Sequence, residues 1–294
     1  MCSGRIDPLF ILRALEAGAD GVFIGACHPS DCHYVDGNAK AKKRIDFLLQ
    51  ILEPLGLSDR ITMEYISASE GRKFKEVTTT FTEKIRQLGA SPIGSTRELV
   101  DITSNEDSNK KHAIHAVLKA IADAVNYQPT NPIIIPPETI MEGYGFPKRD
   151  PDKCIGCFAC YNTCPEDVIT LEDIESKRVF GTLSHACVVC KKCQEVCPQD
   201  AIEIVPGFEL VAYLTKKPIE DISLDLLQCS ECQSYFSAAK HVEYVEEKVR
   251  KNVRDLDIPE AQHGLCPDCK RKFIANQLQK KWLEHAALFV ERGG

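Results

Sequence analysis

Apolar and polar positions fall into alternating short blocks over the first ninety or so residues. Residues 7–16 open with an acid and a proline, Asp7-Pro8, and then carry apolar side chains at helical spacing up to Gly18. An acid at the N-cap and a proline at the first helical position predict a helix there. Residues 21–26 are continuously apolar and short, the pattern of a buried parallel strand. A second helix is predicted over 39–53, with Ile45, Leu48, Leu49 and Leu52 on one face and Lys40, Lys42 and Lys43 elsewhere. A strand follows at 60–66 and a third helix at 70–88, closed by Gly89. Such alternation with short connections predicts an α/β domain, a doubly wound parallel sheet, over residues 1–89.

Beyond it the pattern changes. Polar residues 104–109 are expected to cap a helix over 112–126. Pro129, Pro132, Pro136, Pro137 and Pro147 then mark an extended connector, so 90–148 reads as a helix and a proline-rich linker. Residues 149–206 contain an internal repeat, in which Cys-Pro-Glu-Asp-Val-Ile-Thr-Leu171 is matched by Cys-Pro-Gln-Asp-Ala-Ile-Glu-Ile204. Residues 207–294 form a last module, with helices expected over 238–253 and 273–291. The final helix carries Ile274, Leu278, Trp282, Leu283 and Leu288 as apolar positions, available to this module or to a partner.

The length of 294 residues suits two or three modest domains, and a composition of 44% hydrophobic and 27% charged residues is that of a globular chain. Fifteen cysteines would suggest disulfides in a small secreted protein, but here they cluster as C-x2-C and no signal peptide is visible. Metal ligation in a reducing cytoplasm is the expectation. No apolar run reaches the length of a membrane span. A net charge of −7 gives no electrostatic footprint for nucleic acid. No phosphate-binding glycine fingerprint or nucleophile–base arrangement is present.

Cys154, Cys157, Cys160 and Cys164 before Pro165 spell C-x2-C-x2-C-x3-C-P, and Cys187, Cys190, Cys193 and Cys197 before Pro198 spell it again. Thiolates are soft, strongly donating ligands for iron, and the i, i+3, i+6 spacing wraps one tight loop around a cubane. The double run resembles bacterial-type ferredoxins, α+β domains in which the fourth cysteine of each run serves the other run's cluster. That resemblance implies one [4Fe–4S] cluster on Cys154, Cys157, Cys160 and Cys197, and a second on Cys187, Cys190, Cys193 and Cys164. Ile155, Val168, Ile169, Val188, Val189, Ala201 and Ile202 are expected to form the dry shell around them. His185, two residues before Cys187, is a candidate hydrogen-bond donor to the second cluster.

Gln228-Cys-Ser-Glu-Cys232 and Leu265-Cys-Pro-Asp-Cys269 give two more C-x2-C pairs. Cys229, Cys232, Cys266 and Cys269 read as a tetrahedral site of zinc-ribbon type, holding zinc or a mononuclear iron. The 33 residues between the pairs exceed the usual ribbon spacing, and the helix at 238–253 is expected to fill them. Lys270, Arg271 and Lys272 sit beside Cys269, diluted by Glu246, Glu247, Asp255 and Asp257. The tail resembles cysteine pairs of hydrogenase-linked iron–sulfur subunits and reads as a docking element. A ribbon that binds nucleic acid, in a redox-responsive adaptor, is the competing reading.

Cys2, Cys27 and Cys32 fall where strands of the N-terminal domain run into loops, the edge at which cofactors collect in such sheets. By spacing alone they are cluster ligands or small buried hydrophobes. Their context carries more. Met1-Cys-Ser-Gly-Arg-Ile-Asp-Pro8, Gly25-Ala-Cys-His-Pro-Ser-Asp-Cys-His-Tyr34, Gly37-Asn38 and Ile66-Ser-Ala-Ser-Glu-Gly71 resemble the delta subunit of methyl-viologen-reducing hydrogenase. The resemblance covers residues 1–89. It implies a [2Fe–2S] cluster with Cys2, Cys27 and Cys32 among its ligands. It also implies electron transfer from a hydrogenase, a formate dehydrogenase or another low-potential oxidoreductase to an FAD-containing heterodisulfide-reductase-like subunit. Relatives that accompany aromatic-ring reductases leave that complex as an alternative. Members of the family carry another strand, helix and cysteine pair ahead of this stretch, so the ligand set is expected to be incomplete in the chain as written. His28 and His33 are expected to hydrogen-bond around the site rather than ligate. The His112-x-x-His115 pair reads as a solvated helix face.

Overall fold

The computed structural model describes residues 2–94, 98–102, 110–129, 131–252 and 264–291. The cap expected at 104–109, Met1, Asp255, Asp257 and the side chain of Leu288 lie outside the described residues. In chain order the first elements are α1 (Pro8–Glu16), β1 (Val22–Ala26), α2 (Gly37–Leu52), β2 (Ile61–Tyr65), α3 (Gly71–Leu88) and α4 (Lys110–Ala124). Next come β3 (Phe146–Arg149), α5 (Ala159–Thr163), β4 (Ile169–Ile174), β5 (Lys177–Thr182), α6 (Lys192–Glu195) and β6 (Ile202–Val205). The last are α7 (Leu210–Thr215), β7 (Ile219–Gln228), β8 (Tyr235–Ala238), α8 (Ala239–Asn252) and α9 (Pro267–Glu291). Among the described residues no helix is long and apolar enough to cross a membrane.

The chain divides into two units, each of mixed helix and sheet. The first comprises residues 1–147, 182–190 and 204–219, and the second 148–181, 191–203 and 220–294.

In the first unit β1 and β2 pair in parallel, Val22 opposite Ile61 through Ala26 opposite Tyr65. α1 starts as its sequence dictates: the Asp7 carboxylate accepts the Leu9 N–H at 3.0 Å and Pro8 follows. It buries Ile11, Leu12 and Leu15, while α2 buries Ile45, Leu48 and Leu52 against the same core. α4 contributes Val117, Leu118 and Ile121, and α7 contributes Leu210, Tyr213 and Leu214. β1 departs from the sequence expectation of a wholly buried strand: Ile24 and Ala26 are buried, Gly25 is exposed, and Val22 and Phe23 are half-buried. α3 has no buried residue and ends at Gly89, whose φ of 72° suits glycine. Arg60 collects the loose ends there. Its guanidinium donates to the carbonyls of Asp20, Leu88, Gly89 and Ala90, tying the end of α3 to the turn before β1.

In the second unit the sheet runs β4-β5-β7-β8, with β7 and β8 antiparallel and a bulge between Leu227 and Gln228. β7 buries Ile222, Leu224 and Leu226 and exposes Ser223 and Asp225 between them, the period of two that a half-buried strand requires. Beyond this sheet, β3 pairs with β6.

Candidate metal centres

The backbone of the two cysteine runs is itself a repeat. Gly156, Phe158 and Asp167 have φ of 72°, 64° and 48°, and Val189, Lys191 and Asp200, each 33 residues on, have 56°, 65° and 47°. Left-handed residues flanking successive cysteines turn backbone N–H groups toward one side, forming a concavity suited to an anion. Valine is a costly residue to hold there, so the conformation is imposed by the loop rather than by the residue.

Cys154, Cys157, Cys160 and Cys197 line one recess in the second unit, together with Ile155, Phe180, Pro198 and Ile202. The structure thus gathers the four cysteines expected to share the first cluster, the fourth of them from the other run. Backbone N–H groups already point at sulfur: Ala201 donates to Cys197 Sγ at 3.3 Å, and Gly156 donates to Cys154. Burial pushes the Cys154 and Cys160 thiols up, while Arg149 draws Cys160 back down. A ring of one buried and three half-buried thiols, with donors aimed at the sulfurs, fits a soft, anionic group. Of the second expected set, Cys164 and Cys193 belong to the second unit, and Cys187 and Cys190 to the first.

Arg149 was not singled out by sequence. Its side chain is fully buried and holds both oxygens of Asp221 from Nη1, at 2.9 and 2.8 Å. Nη2 reaches Cys160 Sγ at 3.7 Å. Burial pushes the Asp221 carboxyl up and the guanidinium pulls it back.

Cys229, Cys232, Cys266 and Cys269 stand together. Among the described residues they are the one group of three or more histidine, cysteine or acidic side chains whose ligand atoms all lie within 4.8 Å of one another. Cys232 and Cys266 Sγ are 3.8 Å apart. Two thiolates on one tetrahedral ion with Zn–S of about 2.3 Å would stand roughly 3.8 Å apart. Cys266 N donates to Cys229 Sγ at 3.3 Å across the two pairs, while within the pairs Cys269 N donates to Cys266 Sγ at 3.5 Å and the Cys232 N–H donates to Cys229. Donors from Cys266 and Cys232 lower the Cys229 thiol to about 6, whereas burial raises Cys269 to about 12. The donor set fits a single soft divalent ion.

In the first unit Cys2 and Cys32 Sγ lie 3.9 Å apart. Cys2 also accepts the Gly4 N–H at 3.3 Å. Cys32 lies in the loop before α2, within reach of its first turn, and backbone donors from Asn38 and Tyr34 lower its thiol. Cys27 is not within 4.8 Å of both. Its loop is fixed by Asn38, whose Nδ2 donates to the carbonyls of Cys27 and His28 at 3.0 and 2.6 Å. His28 Nε2 meets Glu70 Oε2 at 2.6 Å, and the His33 ring packs edge-on to Tyr34.

His115 overturns the expectation of a solvated face. It is 7% exposed, packs on His185 with ring centroids 5.1 Å apart and on Tyr213 at 5.3 Å, and burial holds its imidazole down at about 4. Neighbouring Lys111 is buried too, donating to the Cys187 carbonyl and lying over the Tyr144 ring at 4.6 Å. Burial lowers its ammonium to about 8.

These centres define an iron–sulfur protein: residues 148–204 match the model of a 4Fe–4S dicluster domain. Residues 1–89 match the model described as methyl-viologen-reducing hydrogenase, delta subunit. One relative is an iron–sulfur subunit of the F420-non-reducing hydrogenase of Methanococcus voltae, 52% identical over 90 residues, which are 30% of this chain and 62% of that one. The counterpart in Methanococcus maripaludis is 38% identical over 93 residues, 31% of this chain and 69% of its own. Another relative, a component of the ferredoxin:CoB-CoM heterodisulfide reductase of Methanosarcina mazei, is 46% identical over 96 residues, 32% of this chain and 12% of the relative. The chain belongs to the methyl-viologen-reducing hydrogenase delta subunit family.

Proposed function

We propose that this chain is an electron-transfer subunit of an anaerobic oxidoreductase complex. The observation that carries this reading is the duplicated cysteine run, with its duplicated left-handed turns, in a chain of the delta-subunit family. Cys154, Cys157, Cys160 and Cys197 would hold one [4Fe–4S] cluster, and Cys187, Cys190, Cys193 and Cys164 the other. Clusters there supply one-electron redox chemistry at low potential. Ile155, Phe180 and Ile202 exclude water from the first, and the N–H groups of Gly156 and Ala201 hold its sulfurs in place.

Cys2 and Cys32, 3.9 Å apart, stand like two thiolates on one iron, and together with Cys27 they would serve a [2Fe–2S] cluster. The C-terminal four-cysteine site would hold structural zinc. The relatives' names point to a hydrogenase and a heterodisulfide reductase, and the reading extends to a formate dehydrogenase or another low-potential donor and to a heterodisulfide-reductase-like acceptor carrying FAD. With its negative balance and no membrane-length helix described, the chain suits a cytoplasmic carrier between such proteins.

Native anaerobic purification through a C-terminal tag, with identification of the retained proteins, tests the reading. Recovery with a flavoprotein of the heterodisulfide-reductase type is expected. Recovery alone from cells that express such a flavoprotein would contradict it.

A further inference from the structure

Arg149 ends β3 with its guanidinium wholly enclosed. Nη1 and the backbone N–H bind Asp221, and Nη2 is aimed at Cys160 Sγ, 3.7 Å away. The plane lies over the Phe180 ring at 4.9 Å, and Nε has no hydrogen-bond partner. A buried ion pair is costly to desolvate and is weak evidence for stability alone. Here Asp221 occupies one end of the fork, and the other is directed at a sulfur on the wall of the first recess.

The second half of the repeat is built differently. The residue 33 positions after Arg149 is Thr182, buried with an unpartnered hydroxyl. At the second run the buried cation is Lys111, which donates to the Cys187 carbonyl and whose charge the Cys187 thiol favours.

We propose that Arg149 is a positioning residue that acts through Cys160. It raises the reduction potential of the cluster held by Cys154, Cys157, Cys160 and Cys197, with Asp221 moderating it, so that the two clusters are electronically inequivalent. The inference rests on the reading that these cysteines hold a [4Fe–4S] cluster. Reduction adds one electron to that centre and breaks no bond of the protein. An N–H donor and a positive charge at the thiolate stabilise the more negative, reduced state. The Asp221 carboxylate opposes that charge. Removing the guanidinium must therefore lower the potential, and neutralising the carboxylate must raise it.

The test is an anaerobic redox titration of the reconstituted full chain followed by EPR, with iron and spin counted for each variant. In Arg149→Gln, the reduced-to-oxidised ratio of one cluster at fixed potential should fall at least tenfold, about 59 mV for one electron. Asp221→Asn should move that same cluster the other way, and the second cluster should hold its value in both. Arg149→Lys keeps the charge without the fork and should give a smaller fall. If Arg149→Gln loads incompletely, Arg149→Lys and Asp221→Asn carry the comparison. Fully loaded variants in which neither cluster moves, or both move together, overturn the proposal. Wild-type chain that holds no cluster overturns the functional reading itself, which is a different result.

Discussion

Gly37 lies directly beneath Cys2: a Cβ added to Gly37 would stand 2.4 Å from the Cys2 sulfur and 3.3 Å from that of Cys32. The first turn of α2 thus approaches the thiol pair as only glycine permits. Gly37→Ala should separate the two sulfurs. The expected result is loss of the [2Fe–2S] spectrum with the [4Fe–4S] signals retained, read by EPR on the reduced protein. An unchanged [2Fe–2S] signal would remove Cys2 and Cys32 from that site.

The C-terminal site predicts about one zinc per chain, bound independently of the clusters. Cys232→Ser should release it and lower the thermal midpoint, because a structural metal contributes directly to folding. Metal analysis of the purified chain, with and without chelator, decides this. Stoichiometric iron with visible thiolate-to-iron absorbance would replace zinc by a mononuclear iron centre.

The matched left-handed positions predict opposite responses. At Gly156 a Cβ would meet both Ala238 Cβ and Leu224 Cδ1 at 3.0 Å, at a φ of 72°. Gly156→Ala should cost about 2 kcal/mol from strain and contact together. At Val189, φ is 56°, and Val189→Gly should be neutral or stabilising by up to about 1 kcal/mol. Thermal melts of the loaded protein compare them; a larger loss in the Val189 variant would contradict the assignment of strain.

His115 gives a pH prediction. Its imidazole is held at about 4 by burial, below the ordinary 6.5. Between those values the unfolded chain takes up a proton that the folded chain refuses, so stability falls as pH falls through this window. The ceiling is about 3 kcal/mol. His115→Phe keeps a ring against Tyr213 and removes the titration. The drop in thermal midpoint between neutral and mildly acidic buffer should shrink in this variant. An equal drop in both proteins would contradict the buried neutral state.

Much of this was legible in the chain because the signals are local. Asp7-Pro8 starts α1, Gly89 ends α3, and the 33-residue cysteine repeat carries its own turns. What was missed depends on residues distant in sequence. His115 is buried because Tyr213 and His185 close over it, and the sequence HAIHAVLKA alone does not indicate which side of α4 is covered. Arg149 looks like any basic residue before a cysteine run until Asp221, some seventy positions later, fixes it. β7 was overlooked although its alternation, Ile222, Leu224 and Leu226 inward, was present in the sequence.

The proposed function requires that this chain hold two cubane clusters on crossed cysteine sets. Mössbauer and EPR spectroscopy of the anaerobically reconstituted full chain test it most directly. About eight cubane irons per chain are expected from the two runs and, on full reduction, the spectrum of two interacting [4Fe–4S]+ centres. Cysteine runs that take up zinc, or that remain free thiols with no reducible centre, would contradict it.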